Sequence, residues 1–401
     1  MTNVSDDEPH VHFASGASAS YSTLPHLLEH QAGRIPDAPA ILAPGRAPLS
    51  YGRLYRHIDG MGRTLRTMGV GRHDRVAVVL PNGPELAVAI LTVSASAVCV
   101  PMNPAYGREE LDRYFSDLRP CVLLTAAGFE SPARQVAVSG GIRLIELLTE
   151  ENAEAGLFTF TENQGVTPSD ERASPGDVAL LARTSGTTSQ PKIVLVPHAK
   201  VCSAAYSWSA ALALTETDRC LNVMPLFHGH GLTATLLASL TAGASVVCTP
   251  GLDINSFFAW LTTFRPTWYT AVPTLHQAIL AAARHHRGQV AESRLRFIRS
   301  ASAPLPPRVF EDLERTFETC VINGYAMTET AAGPLACNPL PPLRRKAGSV
   351  GVPVDLDLAI MDEAGALLPD CETGEVVVRG ASVMSGYDDD PSANQTAFAG
   401  G

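Results

Sequence analysis

Apolar positions along the chain fall into two alternating rhythms. RVAVVL (75–80) is a continuous apolar run of strand length, and PELAVAILTVSASAV (84–98) follows it with enough apolar residues for a helix. An earlier pair, a helix opening LPHLLEHQAGRIPDAPAIL and a strand at Pro39–Leu42, precedes them, and LRPCVLLT (118–125) reads as a further strand. DVALLARTS (177–185) is another. Beyond it CLNVMP, SVVCTP, TWYTAV, LRFIRSAS and TCVINGYA are strands separated by segments of helix length. Alternation of this kind predicts a layered α/β fold with largely parallel sheets, in two subdomains. After Gly348 the rhythm changes. LDLAIMDEAGALL and GEVVVRG have period two and glycine-containing turns, which predicts a small β-barrel or curled sheet. The division that follows is a flexible tail over 1–20, a layered core over 21–345 and the start of a β-barrel-like subdomain over 346–401. The polar stretch 151–176 is the best linker candidate in the first half.

Composition narrows the class. Of 401 residues, 45% are apolar and 17% charged, which is globular and not disordered. Thirty Lys and Arg against forty Asp and Glu give a net charge of −10, and there is no basic run. Nucleic-acid or anionic-membrane binding is a poor fit to that balance. The eight cysteines are scattered, contain no C-x-x-C pair and sit mostly in apolar contexts such as SAVCVPM. They read as reduced core thiols of a cytoplasmic protein, not a disulfide frame or zinc site. MTNVSDDEPHVHF is too polar for a secretory signal. No apolar run reaches the roughly 18–20 residues of a membrane span.

Three segments carry candidate chemistry. RTSGTTSQPK (183–192) follows a strand and offers the hydroxyls of Thr184, Ser185, Thr187, Thr188 and Ser189, a turn at Gly186 and a mobile cation at Lys192. It is not a P-loop, because Pro191 and Ile193 stand where that motif needs a glycine and a hydroxyl. It can wrap β- and γ-phosphates without gripping them, as suits a reaction that releases pyrophosphate; the alternative is a Ser/Thr-rich surface turn. GYAMTET (324–330) offers an aromatic face at Tyr325, a hydroxyl at Thr328 and a hard oxygen ligand for magnesium at Glu329, or else an ordinary helix start. PLFHGHGL (225–232) places His228 and His230 at a strand-to-helix junction. Their spacing of two makes a poor two-histidine metal site. Each is either a satisfied core histidine or, for His228, a group lining an acyl pocket.

The loop 184–192, PLFHGHGL, SASAPLP (300–306), GYAMTET and GEVVVRG (374–380) occur in an order and spacing that resembles the acyl-adenylate-forming superfamily of acyl- and aryl-CoA synthetases, luciferases and peptide-synthetase adenylation domains. TSGTTSQPK, TWYTAVPTLHQAIL, LRFIRSASAPL and GYAMTET…CNPLPP…RKAGSVG are most similar to the oxalate–CoA ligase-like group. The resemblance spans roughly residues 20–401 and corresponds to a large N-terminal domain.

It implies an ATP-dependent carboxylate–CoA ligase. A carboxylate attacks the α-phosphate of ATP, pyrophosphate leaves, and the thiol of coenzyme A takes the acyl group and releases AMP. Catalysis of this kind is mostly positioning and charge neutralisation. By matching position, Thr184, Ser185, Gly186, Thr187, Thr188 and Lys192 would hold the β- and γ-phosphates. Thr328 would touch the α-phosphate, and Glu329 would bind Mg²⁺. Tyr325 would stack on adenine, with Ala303 opposite and Gly324 and Asn323 beside it, Asn323 near the exocyclic amine. His228 would sit at the carboxylate and the thiol path. Ser300, Ala301, Ser302, Ala326, Met327, Ala332 and Gly333 would line the acyl pocket.

Some positions depart from the family. Ile193 stands where relatives have glycine, and Arg183 where they have an aromatic or other residue; both flank the cradle and are expected to be tolerated. Ala332 stands where the oxalate group tends to carry histidine. Losing that partner for a second carboxylate points away from oxalate and toward a larger, less polar acid, aromatic or medium-chain. The segment that would carry a ribose-binding aspartate and a small lysine-bearing domain lies beyond QTAFAGG (395–401), so these residues alone are expected to adenylate poorly. Two other readings are an adenylate-forming amide ligase or carrier-protein loading enzyme, and a non-catalytic acyl- or nucleotide-binding protein.

Overall fold

The structure is a computed structural model that describes residues 21–150, 152–161, 172–184 and 191–398. The expected tail over 1–20, much of the linker over 151–176 and the cradle residues Ser185, Gly186, Thr187, Thr188 and Ser189 lie outside the described residues. Two sheets organise the rest. One has seven strands in the spatial order Thr159–Phe160, Arg143–Leu148, Val122–Ala126, Arg75–Val79, Val98–Pro101, Val178–Arg183 and Ile193–Pro197. The other has nine, in the order Val352–Pro353, Pro334–Cys337, Cys320–Ala326, Phe297–Ser300, Trp268–Ala271, Arg219–Asn222, Ser245–Cys248, Pro39–Leu42 and Leu49–Ser50. The inner pairs of both sheets are parallel, and the antiparallel pairs lie toward the edges. This is the layered, mostly parallel α/β arrangement that the strand–helix alternation predicts.

The central strands are apolar along their whole length because both faces are covered. Within Arg75–Val79, Val76 and Val78 face a core shared by the two sheets, while Ala77 and Val79 face outward onto helices Arg108–Leu118 and Pro132–Ser139. In the nine-stranded sheet Trp268 and Phe297 point into the shared core. Tyr269 and Ile298 point to helices Ile254–Phe264, Pro273–Ala283 and Pro307–Phe317 on the other side. Between the sheets lie Pro84–Ser94, buried at almost every position, and His198–Ala211.

Four expectations are corrected in detail. The helix expected over 84–98 ends at Ser94, and Val98–Pro101 is a strand; only the small, buried Ser94 and Ser96 interrupt the apolar run there, with no glycine or proline to punctuate the change. The strand expected over 118–125 begins only at Val122, since Leu118 closes a helix capped by Arg119 in a left-handed conformation. In the linker candidate, Thr159–Phe160 pairs with the edge of the seven-stranded sheet and buries Phe158 and Phe160. Beyond Gly348, Val352–Pro353 extends the large sheet, and Asp357–Met361 pairs antiparallel with Glu375–Arg379 as a two-stranded ladder, with no closed barrel among the described residues.

Candidate active site

Loops leaving the C-terminal ends of parallel strands carry the candidate residues, where open α/β sheets place their ligands. Strand Val178–Arg183 leads to Thr184, Arg219–Asn222 to His228, Phe297–Ser300 to Ser302 and Ala303, and Cys320–Ala326 to Thr328 and Glu329.

Thr184 and Lys192 close the base of the cradle. Thr184 N donates to the Lys192 carbonyl at 3.0 Å, and Lys192 N donates to Thr184 Oγ1 at 2.9 Å. The Thr184 hydroxyl keeps its own proton to donate. Ile193 pairs with Arg183 in the strand ladder and turns its side chain into the apolar layer with Val178 and Leu195, so the departure from glycine is absorbed by packing.

Glu329 lies in a single helical turn, Thr328–Thr330, followed by Ala331 and Ala332 at φ of +55° and +58°. Two successive left-handed non-glycine residues are strained backbone, and such strain gathers at functional sites. The turn is held by Thr330 Oγ1, which donates to the Met327 and Gly333 carbonyls, and by Trp208 Nε1, which donates to the Ala332 carbonyl at 2.7 Å. Trp208 is fully buried, its ring 3.9 Å from the Arg299 guanidinium carbon. Gly324 is required beside it, because a Cβ there would stand 2.7 Å from the indole.

Tyr387 donates its hydroxyl to Glu329 Oε1 at 2.8 Å, and Lys192 Nζ stands 4.7 Å from the centre of the same ring. Burial, then the bond to Glu329, raises the Tyr387 phenol above its ordinary range. The other Glu329 oxygen has no partner among the described residues. These also contain no cluster of three or more His, Cys, Asp or Glu that could cage a metal. One carboxylate suits magnesium that arrives with phosphate oxygens and completes its shell with water.

His228 is exposed at the surface, yet the atoms crowded around its ring desolvate it and lower its pKa. It lines a cavity of about 110 Å³ together with Thr328, Ala332, Phe227, Tyr106 and Arg183. Gly229 makes the floor possible, because a Cβ on it would meet Ala332 Cβ at 2.3 Å. His230 is the satisfied core histidine: its ring nitrogens bond Ser302 Oγ at 2.9 Å and Thr270 Oγ1 at 2.6 Å, and burial drives its pKa far down. Ser302 reaches the surface from a left-handed backbone, whereas Ser300 and Ala301 are buried. Asn323 Nδ2 donates to the Ser349 carbonyl at 3.2 Å, which leaves Oδ1 to accept. Tyr325, Ala326 and Met327 are half-buried along the strand end, Ala303 is exposed, and Gly333 packs on Ala204.

The cavity also holds two tyrosines that the motifs do not include, beside Arg183, which the sequence marks only as a departure from the family. Tyr106 and Tyr114 stack at 4.8 Å, and Arg183 lies 3.6 Å over the Tyr114 ring, 3.7 Å from Asp117. The signal for the tyrosines is NPAYGREELDRY (103–114), whose two aromatics eight apart meet across a turn and a helix. Tyr387 follows GEVVVRG and has no local signal, because its partner Glu329 is distant in sequence.

Residues 28–388 match the family model described as AMP-binding enzyme. A probable CoA ligase, CCL9, of Humulus lupulus is 38% identical over 396 residues, which cover 95% of this chain and 73% of that protein. An oxalate–CoA ligase of Arabidopsis thaliana is 37% identical over 94% of this chain and 74% of its own length, and a sulfoacetate–CoA ligase of Cupriavidus necator is 34% identical over the same shares. Among solved structures, ATP-bound MatB from Rhodopseudomonas palustris superposes with a TM-score of 0.80 at 24% identity, over 94% of this chain and 74% of that one, a likeness of fold. With its matched family model, these relatives and this fold, the chain belongs to the AMP-binding enzyme family.

Proposed function

We propose that this chain is the large domain of an ATP-dependent carboxylate–CoA ligase that activates its acid as acyl-AMP and passes the acyl group to coenzyme A. The observation that carries the reading is the convergence of Lys192, Glu329 and Tyr387 beside a cavity that His228 and Thr328 line. Named relatives that are CoA ligases support it.

In this reading Thr184, Ser185, Gly186, Thr187, Thr188 and Lys192 take the outer phosphates, and Thr328 the α-phosphate. Bound magnesium neutralises phosphate charge, and Glu329 is the residue that would hold it. Tyr325, Gly324, Asn323 and Ala303 take the adenine. The lowered pKa of His228 favours its neutral form, in which it offers a lone pair or an N–H to the acid without adding a charge. Ser300, Ala301, Ser302, Ala326, Met327, Ala332 and Gly333 bound the acid. Apolar groups dominate the cavity wall, Phe227, Leu232 and Ala332 among them, which supports an acid larger and less polar than oxalate. The core is taken as 21–345 and the following subdomain as 346–401. Eight unpaired cysteines support a cytoplasmic location, and no described helix is long and apolar enough to cross a membrane.

The test is exchange of labelled pyrophosphate into ATP. Exchange that needs both magnesium and a carboxylic acid supports adenylation; magnesium-dependent ATP binding with no acid-dependent exchange in the complete gene product would overturn it.

A further inference from the structure

Tyr387 is fixed from every side. Its backbone bridges to Val194, and Asp388 N donates to the Ile193 carbonyl at 2.9 Å. Asn394 Oδ1 accepts from Tyr387 N at 2.7 Å, and Asn394 Nδ2 donates to the Tyr387 carbonyl at 3.0 Å. Met384 N donates to the Glu329 carbonyl at 2.7 Å, Lys200 Nζ donates to the Val383 carbonyl, and Arg75 pairs with Asp388 at 2.9 Å. The segment 383–388 is therefore laid against both the strand that leaves the cradle and the turn that carries Glu329.

The phenol spans the two charged groups of the site. Its hydroxyl holds one oxygen of Glu329, and its face lies under the Lys192 ammonium. We infer that Tyr387 is a positioning residue that holds Glu329 with one oxygen presented to Mg²⁺ and keeps Lys192 from pairing with that carboxylate, so that both stay available to MgATP. The physical need is clear. Lys and Glu a phenol's length apart would otherwise close into an ion pair and cancel the two charges that the phosphates and the metal require. A hydrogen bond to a ligating carboxylate fixes its orientation, and losing such a partner typically costs about 10–100-fold in metal affinity or activity. The ring face holds the ammonium only weakly, so Lys192 can leave it for a phosphate. The inference rests on the proposed MgATP reading of the site.

The experiment is calorimetric titration of ATP into the protein at a series of Mg²⁺ concentrations, with melting followed in parallel. Tyr387→Phe keeps the ring and removes the hydroxyl. We expect the Mg²⁺ concentration that half-restores ATP affinity to rise about tenfold, excess Mg²⁺ to restore full affinity, and melting to stay unchanged. Tyr387→Leu, which also removes the ring face, should keep a weakened ATP affinity even at saturating Mg²⁺. Asn394→Ala leaves the phenol but frees its backbone and should move the Mg²⁺ midpoint in the same direction, which keeps the test open should a Tyr387 variant fold poorly. A Tyr387→Phe midpoint within twofold of wild type overturns the inference alone. Wild-type ATP binding that ignores Mg²⁺ overturns the reading of the site and this inference with it.

Discussion

Trp208→Phe tests how the core supports the site. The indole of this fully buried residue does three things: Nε1 donates to the Ala332 carbonyl at 2.7 Å, the ring covers Arg299 at 3.9 Å, and its far edge fills the space Gly324 leaves open. Phenylalanine cannot donate, so the Ala332 carbonyl loses its partner at a cost of about 1–3 kcal/mol. Part of the cover over Arg299 survives, since a phenyl face still attracts a cation, but the smaller ring leaves a void worth roughly another 1 kcal/mol. The sum is about 3 kcal/mol of stability, read as a fall in the urea midpoint at unchanged slope. The freed carbonyl belongs to strained Ala332, three residues after Glu329, so acid-dependent pyrophosphate exchange should drop about tenfold as the turn shifts. A loss below about 1 kcal/mol with unchanged exchange would refute the view that Trp208 braces the turn.

Other expectations follow from single contacts. Glu329→Gln should abolish magnesium-dependent ATP binding while leaving the melting profile intact; undiminished binding in a magnesium titration would remove its assigned role. Ala332→His suits the left-handed backbone at φ +58°, a region histidine tolerates, and should move preference toward small diacids in an acid panel; an unchanged profile would count against the pocket assignment. Burial holds His198 and His276 near a pKa of about 4, against 6.5 when exposed, and His198 Nδ1 accepts from Leu24 N at 3.2 Å. Both favour the neutral form when folded, so their stabilisation is complete above pH 6.5 and is lost as pH falls toward 4, by up to about 3 kcal/mol each. His198→Asn, which keeps an acceptor without the titration, should remove about half of that loss in urea melts at pH 7, 5.5 and 4.5, His276 keeping its share; stability that rises on acidification would contradict the sign.

Much of the fold is legible in the sequence because buried parallel strands leave continuous apolar runs: RVAVVL, TWYTAV and TCVINGYA each become a strand. What periodicity cannot mark is a helix passing into a strand with no glycine, proline or charged break, as at Ser94–Val98, or which strands meet. Pro39–Leu42 pairs with Ser245–Cys248, and nothing local in either announces the other. The site divides the same way. Thr184, Lys192, His228, Thr328 and Glu329 stand in short motifs whose residue types carry their chemistry. Tyr387 draws its meaning only from the contact with Glu329 that the fold creates, and Arg183, marked in the sequence as a departure, gains its place over Tyr114 only from the fold.

The most direct measurement uses the complete gene product with MgATP, coenzyme A and a mixed pool of oxalate, short- and medium-chain fatty acids and benzoates, with products read by mass spectrometry. We expect AMP together with one dominant acyl-CoA. AMP or acyl-AMP without a thioester would contradict coenzyme A as acceptor, and no consumption of ATP with any acid would contradict carboxylate activation itself.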